Sequence, residues 1–268
     1  MNNNRCSFHG MSSVPLPQTV SPWLKCFVPR PKAQLRLICL PHAGGGASAY
    51  ASWARLLPES VELWALQLPG REDRLAEPMI DNMATLVTIL VPLVVQFSDK
   101  PYAFFGHSMG AALGYELCLA IFRLKQPLPQ RLLVSGREAP VRSRHDSLHL
   151  ASDSALIDEL LRLEPTMVTL FAHKEFASMA LPVIRNDYAM INGYHPRQNE
   201  PLLPVVVTGM TGEDDPELLP GDMNAWQAVT EHNYILYTFP GRHFYLREHR
   251  DEVLACIGRL LTETVYVE

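Results

Sequence analysis

The chain has 268 residues, 28 acidic and 23 basic side chains, a formal net charge of −5 and 47% hydrophobic residues. That length suits one α/β domain with an insertion and a sizeable core, and the acidic balance argues against nucleic acid as a general partner. The five cysteines, Cys6, Cys26, Cys39, Cys118 and Cys256, are widely spread with no C-x-x-C pair, so neither a disulfide framework nor a zinc site is expected and a reducing cytoplasm is the simplest location.

From Met1 to Trp23 the chain is polar and rich in Ser and Pro, without an apolar stretch long enough for a signal peptide. Residues 1–30 are expected to form a flexible tail, in which Met11 is an alternative start, and residues 31–268 a single domain. Strand-like runs follow at Leu35 to Leu40, Val61 to Leu68, Tyr102 to Phe105, Arg131 to Ser135, Val205 to Thr208 and Tyr234 to Phe239. They alternate with helical patterns, which predicts an α/β fold: a mostly parallel sheet with helices on both faces. Cys39 and Cys118 lie in these patterns as small core residues. The most hydrophobic stretch, Leu86 to Phe97, contains Pro92 and is too short to span a membrane, so it reads as a buried helix. One interval is different. Between Ser135 and Val205 there is no strand signal, only helical patterns at Ser154 to Leu163, capped by Ser152 or Asp153, and at Lys174 to Tyr194.

Chemistry enters at Gly106-His107-Ser108-Met109-Gly110, which follows the apolar run Tyr102 to Phe105 and opens the helical pattern Ala111 to Lys125. A G-x-S-x-G at a strand-to-helix turn exposes the serine above a helix N-terminus, as a nucleophile requires. A serine hydroxyl needs a base to take its proton and an acid to hold that base. The chain supplies both in the order Ser, Asp, His. One strand runs into Gly212-Glu213-Asp214-Asp215 and the last into Phe239-Pro240-Gly241-Arg242-His243-Phe244. At this point Asp214 and Asp215 are equal candidates for the acid. The Met109 N–H, just after the nucleophile, is one expected oxyanion donor, and the loop after the Leu35 to Leu40 strand supplies the other. That loop lacks the lysine and the spacing of a phosphate-binding glycine loop. No metal and no cofactor are expected. His42 and His107, each beside a functional backbone group, are expected to shape their turns.

Four motifs in order, Leu40-Pro41-His42-Ala43-Gly44-Gly45-Gly46, Gln67-Leu68-Pro69-Gly70-Arg71-Glu72, the GHSMG turn and Phe239 to Phe244, resemble the type II thioesterases that serve nonribosomal peptide and polyketide synthetases. The resemblance runs from about Leu35 to about Leu261 and implies an α/β-hydrolase fold. It implies Asp215 as the acid, with Asp214 as the alternative, and Ala43 as the second oxyanion donor, with Gly44 as the alternative. The helical interval resembles a lid, about residues 141–200, over an acyl pocket. Leu156, Leu160, Met167, Phe171, Phe176, Met179, Leu181, Ile184, Met190 and Ile191 are its candidate contacts. The implied activity is release of acyl or aminoacyl groups from the phosphopantetheine arms of carrier proteins. A general ester or acyl-CoA hydrolase is the rival reading, and a non-catalytic binding homologue a weaker one. Because carrier domains are acidic, Arg137, Arg142 and Arg144, leading into the lid, are candidate docking cations.

Overall fold

Alternation along the strands decides the layering. In β3 (Leu35–Leu40) and β5 (Tyr102–His107), Ile38, Leu40, Tyr102 and Phe104 point into one apolar core, while Leu37, Cys39, Ala103 and Phe105 point into another. Strands buried on both faces belong to a sheet with helices on each side. The computed structural model describes residues 18–142, 147–197 and 199–262. Its strands are β1 (Gln18–Ser21), β2 (Leu24–Cys26), β3, β4 (Val61–Leu66), β5, β6 (Arg131–Ser135), β7 (Val206–Gly212) and β8 (Ile235–Phe239). They form one sheet in the order β1-β2-β4-β3-β5-β6-β7-β8, parallel from β4 to β8 and antiparallel at the β1-β2 edge.

The helices are α1 (Trp53–Leu56), α2 (Met83–Val95), α3 (Met109–Arg123), α4 (Asp153–Leu163), α5 (Val168–Phe171), α6 (Lys174–Asn192), α7 (Tyr245–Glu248) and α8 (Arg250–Thr262). α2 and α3 cover one face through Leu86, Leu90, Leu113 and Leu117. α1 and α8 cover the other through Trp53, Ala54, Val253 and Ile257. No single helix among the described residues is long and apolar enough to cross a membrane.

One expectation needs correction. The tail was expected to reach residue 30, but Gln18–Ser21 and Leu24–Cys26 extend the sheet, and Leu24 and Cys26 are buried beside Leu66. Backbone pairing with the open edge of β4, together with those two buried side chains, offsets the entropy of ordering so short a segment.

Between β6 and β7, Ser152 caps α4 by accepting the Ala155 N–H at 3.2 Å. Apolar sides of α4, α5 and α6 meet in a small cluster of Leu156, Phe171, Leu181 and Ile184. Met190 and Ile191, further along α6, turn instead to the main core, which fixes that end of the helix to the sheet.

The passage from β5 to α3 is the tightest in the fold. Ser108 takes φ 53° and ψ −118°, a left-handed backbone that non-glycine residues adopt only under constraint. A Cβ on Gly106 would overlap the Gly110 carbonyl, and one on Gly110 would overlap the Leu40 carbonyl oxygen. Both obstacles are backbone and cannot rotate away. Gly110→Ala is therefore expected to lower Tm by about 4 °C or more in a thermal melt. An unchanged Tm would show that α3 shifts freely against β3.

Candidate active site

Ser108 is half-buried, and its N–H donates to the Ser135 carbonyl at 2.8 Å, pinning the turn to the end of β6. Its own carbonyl accepts the Ala111 N–H at 2.9 Å and starts α3. The Met109 N–H lies in that first turn, where amide groups have no partner within the helix.

Two loop ends are spliced together at the neighbouring strands. The Glu213 N–H donates to Phe239 O at 2.9 Å and the Asp214 N–H to Gly241 O at 3.0 Å, so the chain after β7 lies along the chain after β8. This brings Asp215 to His243: Nδ1 of the imidazole is 3.0 Å from Oδ1 and 2.9 Å from Oδ2, with both residues buried. A carboxylate only accepts, so Nδ1 carries the proton and donates it. Asp215 Oδ1 also accepts the Glu217 N–H at 3.0 Å. Asp214, the alternative acid, is exposed one residue earlier. Among the described residues no hydrogen bond joins Ser108 Oγ to His243. The His243 ring does lie 4.8 Å from the ring of His107, the residue before Ser108.

His107 is buried in the floor beneath, and His42 is half-buried beside it. His107 Nδ1 pairs with Ser135 Oγ at 2.9 Å, and that hydroxyl pairs with Tyr245 OH at 2.7 Å. Burial, followed by the facing His243 and His42, holds His107 well below the usual imidazole range. Burial and then the Arg247 guanidinium push His42 down to about 3, and its ring packs edge-on to Phe244 at 5.0 Å.

The loop after β3 is held by the second motif. The Gly45 N–H closes a turn onto His42 O at 2.9 Å, and the Ala47 N–H donates to Gln67 Oε1 at 2.7 Å. Gln67 Nε2 in turn donates to Arg71 O at 3.1 Å, Arg71 Nη1 to Gly45 O at 2.9 Å and Ser48 Oγ to Glu72 Oε1 at 2.6 Å. The Gly44 N–H donates to Asp187 Oδ2 at 2.8 Å and is thereby occupied. Ala43, by contrast, has no acceptor for its N–H among the described residues.

Sequence reasoning missed Asp187. It lies in α6, is fully buried, and forms a bidentate pair with Arg71 at 2.6 and 2.8 Å. A signal existed: Asp187 sits three residues after Ile184 and three before Met190, on the apolar stripe of its helix, where a lone carboxylate needs a partner.

A cleft of about 370 Å³ separates this loop from the helical segment. Of the ten expected lid contacts, Leu160, Met167, Phe171, Phe176 and Ile184 line it. Leu156 and Leu181 belong to the small helical core, with Leu181 also facing an outer groove, and Met179 is exposed. His42, Phe244 and Arg247 complete its wall, which does not include Ser108. Arg137 is paired with Glu138 at 3.2 Å, whereas Arg142 is half-exposed and 3.9 Å from Asp222. Arg144 lies outside the described residues.

A mostly parallel sheet with a serine at a strand-to-helix turn and an Asp–His pair after the last two strands defines an α/β-hydrolase. Residues 35–261 match the thioesterase domain family, and the chain belongs to it. It is 35% identical over 245 residues to the probable cadicidin biosynthesis thioesterase of Streptomyces griseus, covering 91% of this chain and 67% of that one. Identity is also 35%, over 223 residues, to the gramicidin S biosynthesis protein GrsT of Aneurinibacillus migulanus, covering 83% and 87%. The solved structure of the type II thioesterase BorB from the borrelidin biosynthetic cluster superposes with a TM-score of 0.83 at 40% identity, covering 91% of this chain and 99% of that one.

His42 and His107 make a pH prediction. Both are neutral in the folded protein at neutral pH, whereas in the unfolded chain each ionises near about 6.5. Below that pH the unfolded chain binds more protons than the native one, so stability falls on acidification, for His42 down to about pH 3. Tm is expected to drop between pH 7 and pH 5, while the ring signals of His42 and His107 in an NMR titration stay put. Either ring titrating near its ordinary value would contradict the assignment.

Proposed function

We propose that the protein is a type II editing thioesterase that clears acyl or aminoacyl groups from the phosphopantetheine arms of carrier domains. Ser108 is the nucleophile, His243 the base and Asp215 the acid. The observation that carries the reading is the buried Asp215–His243 contact beside a strained serine turn, in a chain of the thioesterase family. Relatives named as thioesterases of cadicidin biosynthesis, of the borrelidin cluster and of the yersiniabactin NRPS/PKS pathway support the choice of substrate.

In this mechanism Ser108 Oγ attacks the thioester carbonyl carbon as His243 Nε2 takes the hydroxyl proton. Asp215, bonded to Nδ1, holds the reacting tautomer and stabilises the imidazolium. The carbonyl oxygen becomes an oxyanion between the N–H groups of Met109 and Ala43. Collapse breaks the carbon–sulfur bond, and the leaving thiolate takes the proton from His243. Water, activated by the same histidine, then hydrolyses the acyl-Ser108 ester. The phosphopantetheine arm belongs to the substrate. The segment of about 141–200 acts as a lid, a reading supported by the cleft that side chains between Leu160 and Ile184 wall. A cytoplasmic setting is supported by Cys26, Cys39 and Cys118, buried thiols outside any disulfide.

Ser108→Ala is expected to abolish hydrolysis of an acyl-carrier protein, by several orders of magnitude, with little change in Tm. Asp215→Asn should cost roughly 10⁴-fold in kcat with the fold intact, and Asp214→Asn little. The reverse ranking would move the acid to Asp214. Substrate class is read from the same assay: kcat/KM on acyl-carrier protein is expected to exceed that on the matching acyl-CoA, and equal values would favour a general acyl-CoA hydrolase. For docking, Arg142→Glu should lower kcat/KM on the carrier substrate and leave an acyl-N-acetylcysteamine thioester unaffected. Parallel losses would make Arg142 a fold residue instead.

A further inference from the structure

The Asp187 carboxylate, outside the Ser108, His243 and Asp215 set, is buried and engaged at both oxygens. Oδ2 accepts from the Gly44 N–H at 2.8 Å and Arg71 Nη1 at 2.6 Å, and Oδ1 accepts from Arg71 Nη2 at 2.8 Å and Asn186 Nδ2 at 3.3 Å. Arg71 spends a further donor on the Gly45 carbonyl at 2.9 Å. The carboxylate thus grips the loop after β3 at two consecutive residues, at Gly44 directly and at Gly45 through the guanidinium.

We propose that Asp187 is a positioning residue for the oxyanion site: with Arg71 it sets the direction of the Ala43 N–H and ties that loop to α6. The inference rests on the assignment of Ser108 and Ala43 under the proposed function.

The path from carboxylate to Ala43 is short. With Gly44 N–H and Gly45 O fixed, the Gly45 N–H is aimed at His42 O, which it meets at 2.9 Å. That oxygen and the Ala43 N–H belong to one planar trans peptide, in which C=O and N–H point in opposite directions. Holding the His42 carbonyl therefore holds the Ala43 donor. Pro41 and His42 have no other described backbone bond that would do so. Gly44 also lies flush against α6: it has φ +78°, and a Cβ there would overlap Ile184, one turn before Asp187 and itself a wall of the cleft. The helix that lines the cleft and the loop that carries the donor move as one piece, so an unseated α6 leaves the oxyanion site half-assembled. A charge pair serving stability alone is replaceable by apolar side chains of similar volume. This one is not, because its oxygens are spent on a backbone donor beside the reacting carbonyl.

The test uses the full chain with Arg71→Met, Asp187→Leu, the double variant R71M/D187L and, separately, Asp187→Asn. Each Arg71 or Asp187 single variant strands a buried charge and should lower Tm, whereas the double variant removes both charges and should regain much of it. Its kcat on an acyl-N-acetylcysteamine thioester is expected to stay down by about a hundredfold with KM nearly unchanged. Binding of a trifluoromethyl ketone, which forms a tetrahedral oxyanion on Ser108, should weaken by a similar factor. A double variant with wild-type kcat, or one whose whole loss is in KM, would overturn the proposal. Should the double variant not fold, Asp187→Asn decides: it keeps an acceptor for Gly44 but not the negative charge that faces Arg71, and an intermediate kcat loss at constant KM is expected, wild-type kcat being the contrary result. Wild-type turnover that survives Ser108→Ala would instead defeat the functional reading, and is measured separately.

Discussion

The structure depends on a turn with no room for a side chain on either side of it. Residues 106 and 110 must be glycine because α3 leaves β5 so abruptly that its first turn touches the Leu40 carbonyl. That close approach puts Ser108 in a left-handed conformation and sets the first amides of α3 beneath it. It also presses the start of α3 onto the end of β3, from which the glycine loop departs. Ser108, the proposed nucleophile, and the loop proposed to carry an oxyanion donor are therefore neighbours by backbone packing before any side chain acts.

The sheet order does the rest of the assembly. β3, β5, β6, β7 and β8 lie side by side and parallel, so their carboxyl ends deliver the glycine loop, Ser108, Ser135, Asp215 and His243 to one edge. Ligands of open α/β sheets gather at such edges. Beneath them polar groups are linked in chains: Tyr245 to Ser135 to His107 Nδ1, and Gln67, Arg71 and Glu72 to the loop. These chains explain why the Gln67 to Glu72 motif accompanies the glycine loop. Its side chains satisfy the backbone groups that an irregular loop leaves without partners.

Much of this was legible in the sequence. The turn, the strand alternation and the Ser, Asp, His order each have local signatures, and the strands fell within a few residues of the expected runs. Asp214 and Asp215 were not separable by pattern, because what distinguishes them is burial against His243, a contact made by a loop 28 residues away. Nor was the choice of Ala43 over Gly44 legible on chemistry alone. It depends on which amide Asp187 occupies, from 143 residues downstream. β1 and β2 escaped notice because strands of four and three residues are too short to show a periodicity of their own and gain their order by pairing, β2 on the β4 edge and β1 on β2. Five of the ten candidate acyl contacts lie off the cleft for a related reason: an apolar stripe says that a helix packs, not what it packs on.

The central claim is that Ser108 carries the acyl group during turnover. The most direct measurement is acid quenching of the protein mixed with an excess of acyl-carrier protein, followed by proteolysis and mass mapping of the peptide containing Gly106 to Gly110. The account predicts the mass of the acyl group on Ser108, appearing within the first turnover and decaying as the carrier is cleared. An acyl group found on another residue, or steady release with no modified peptide at any quench time when deacylation is slowed, would contradict it.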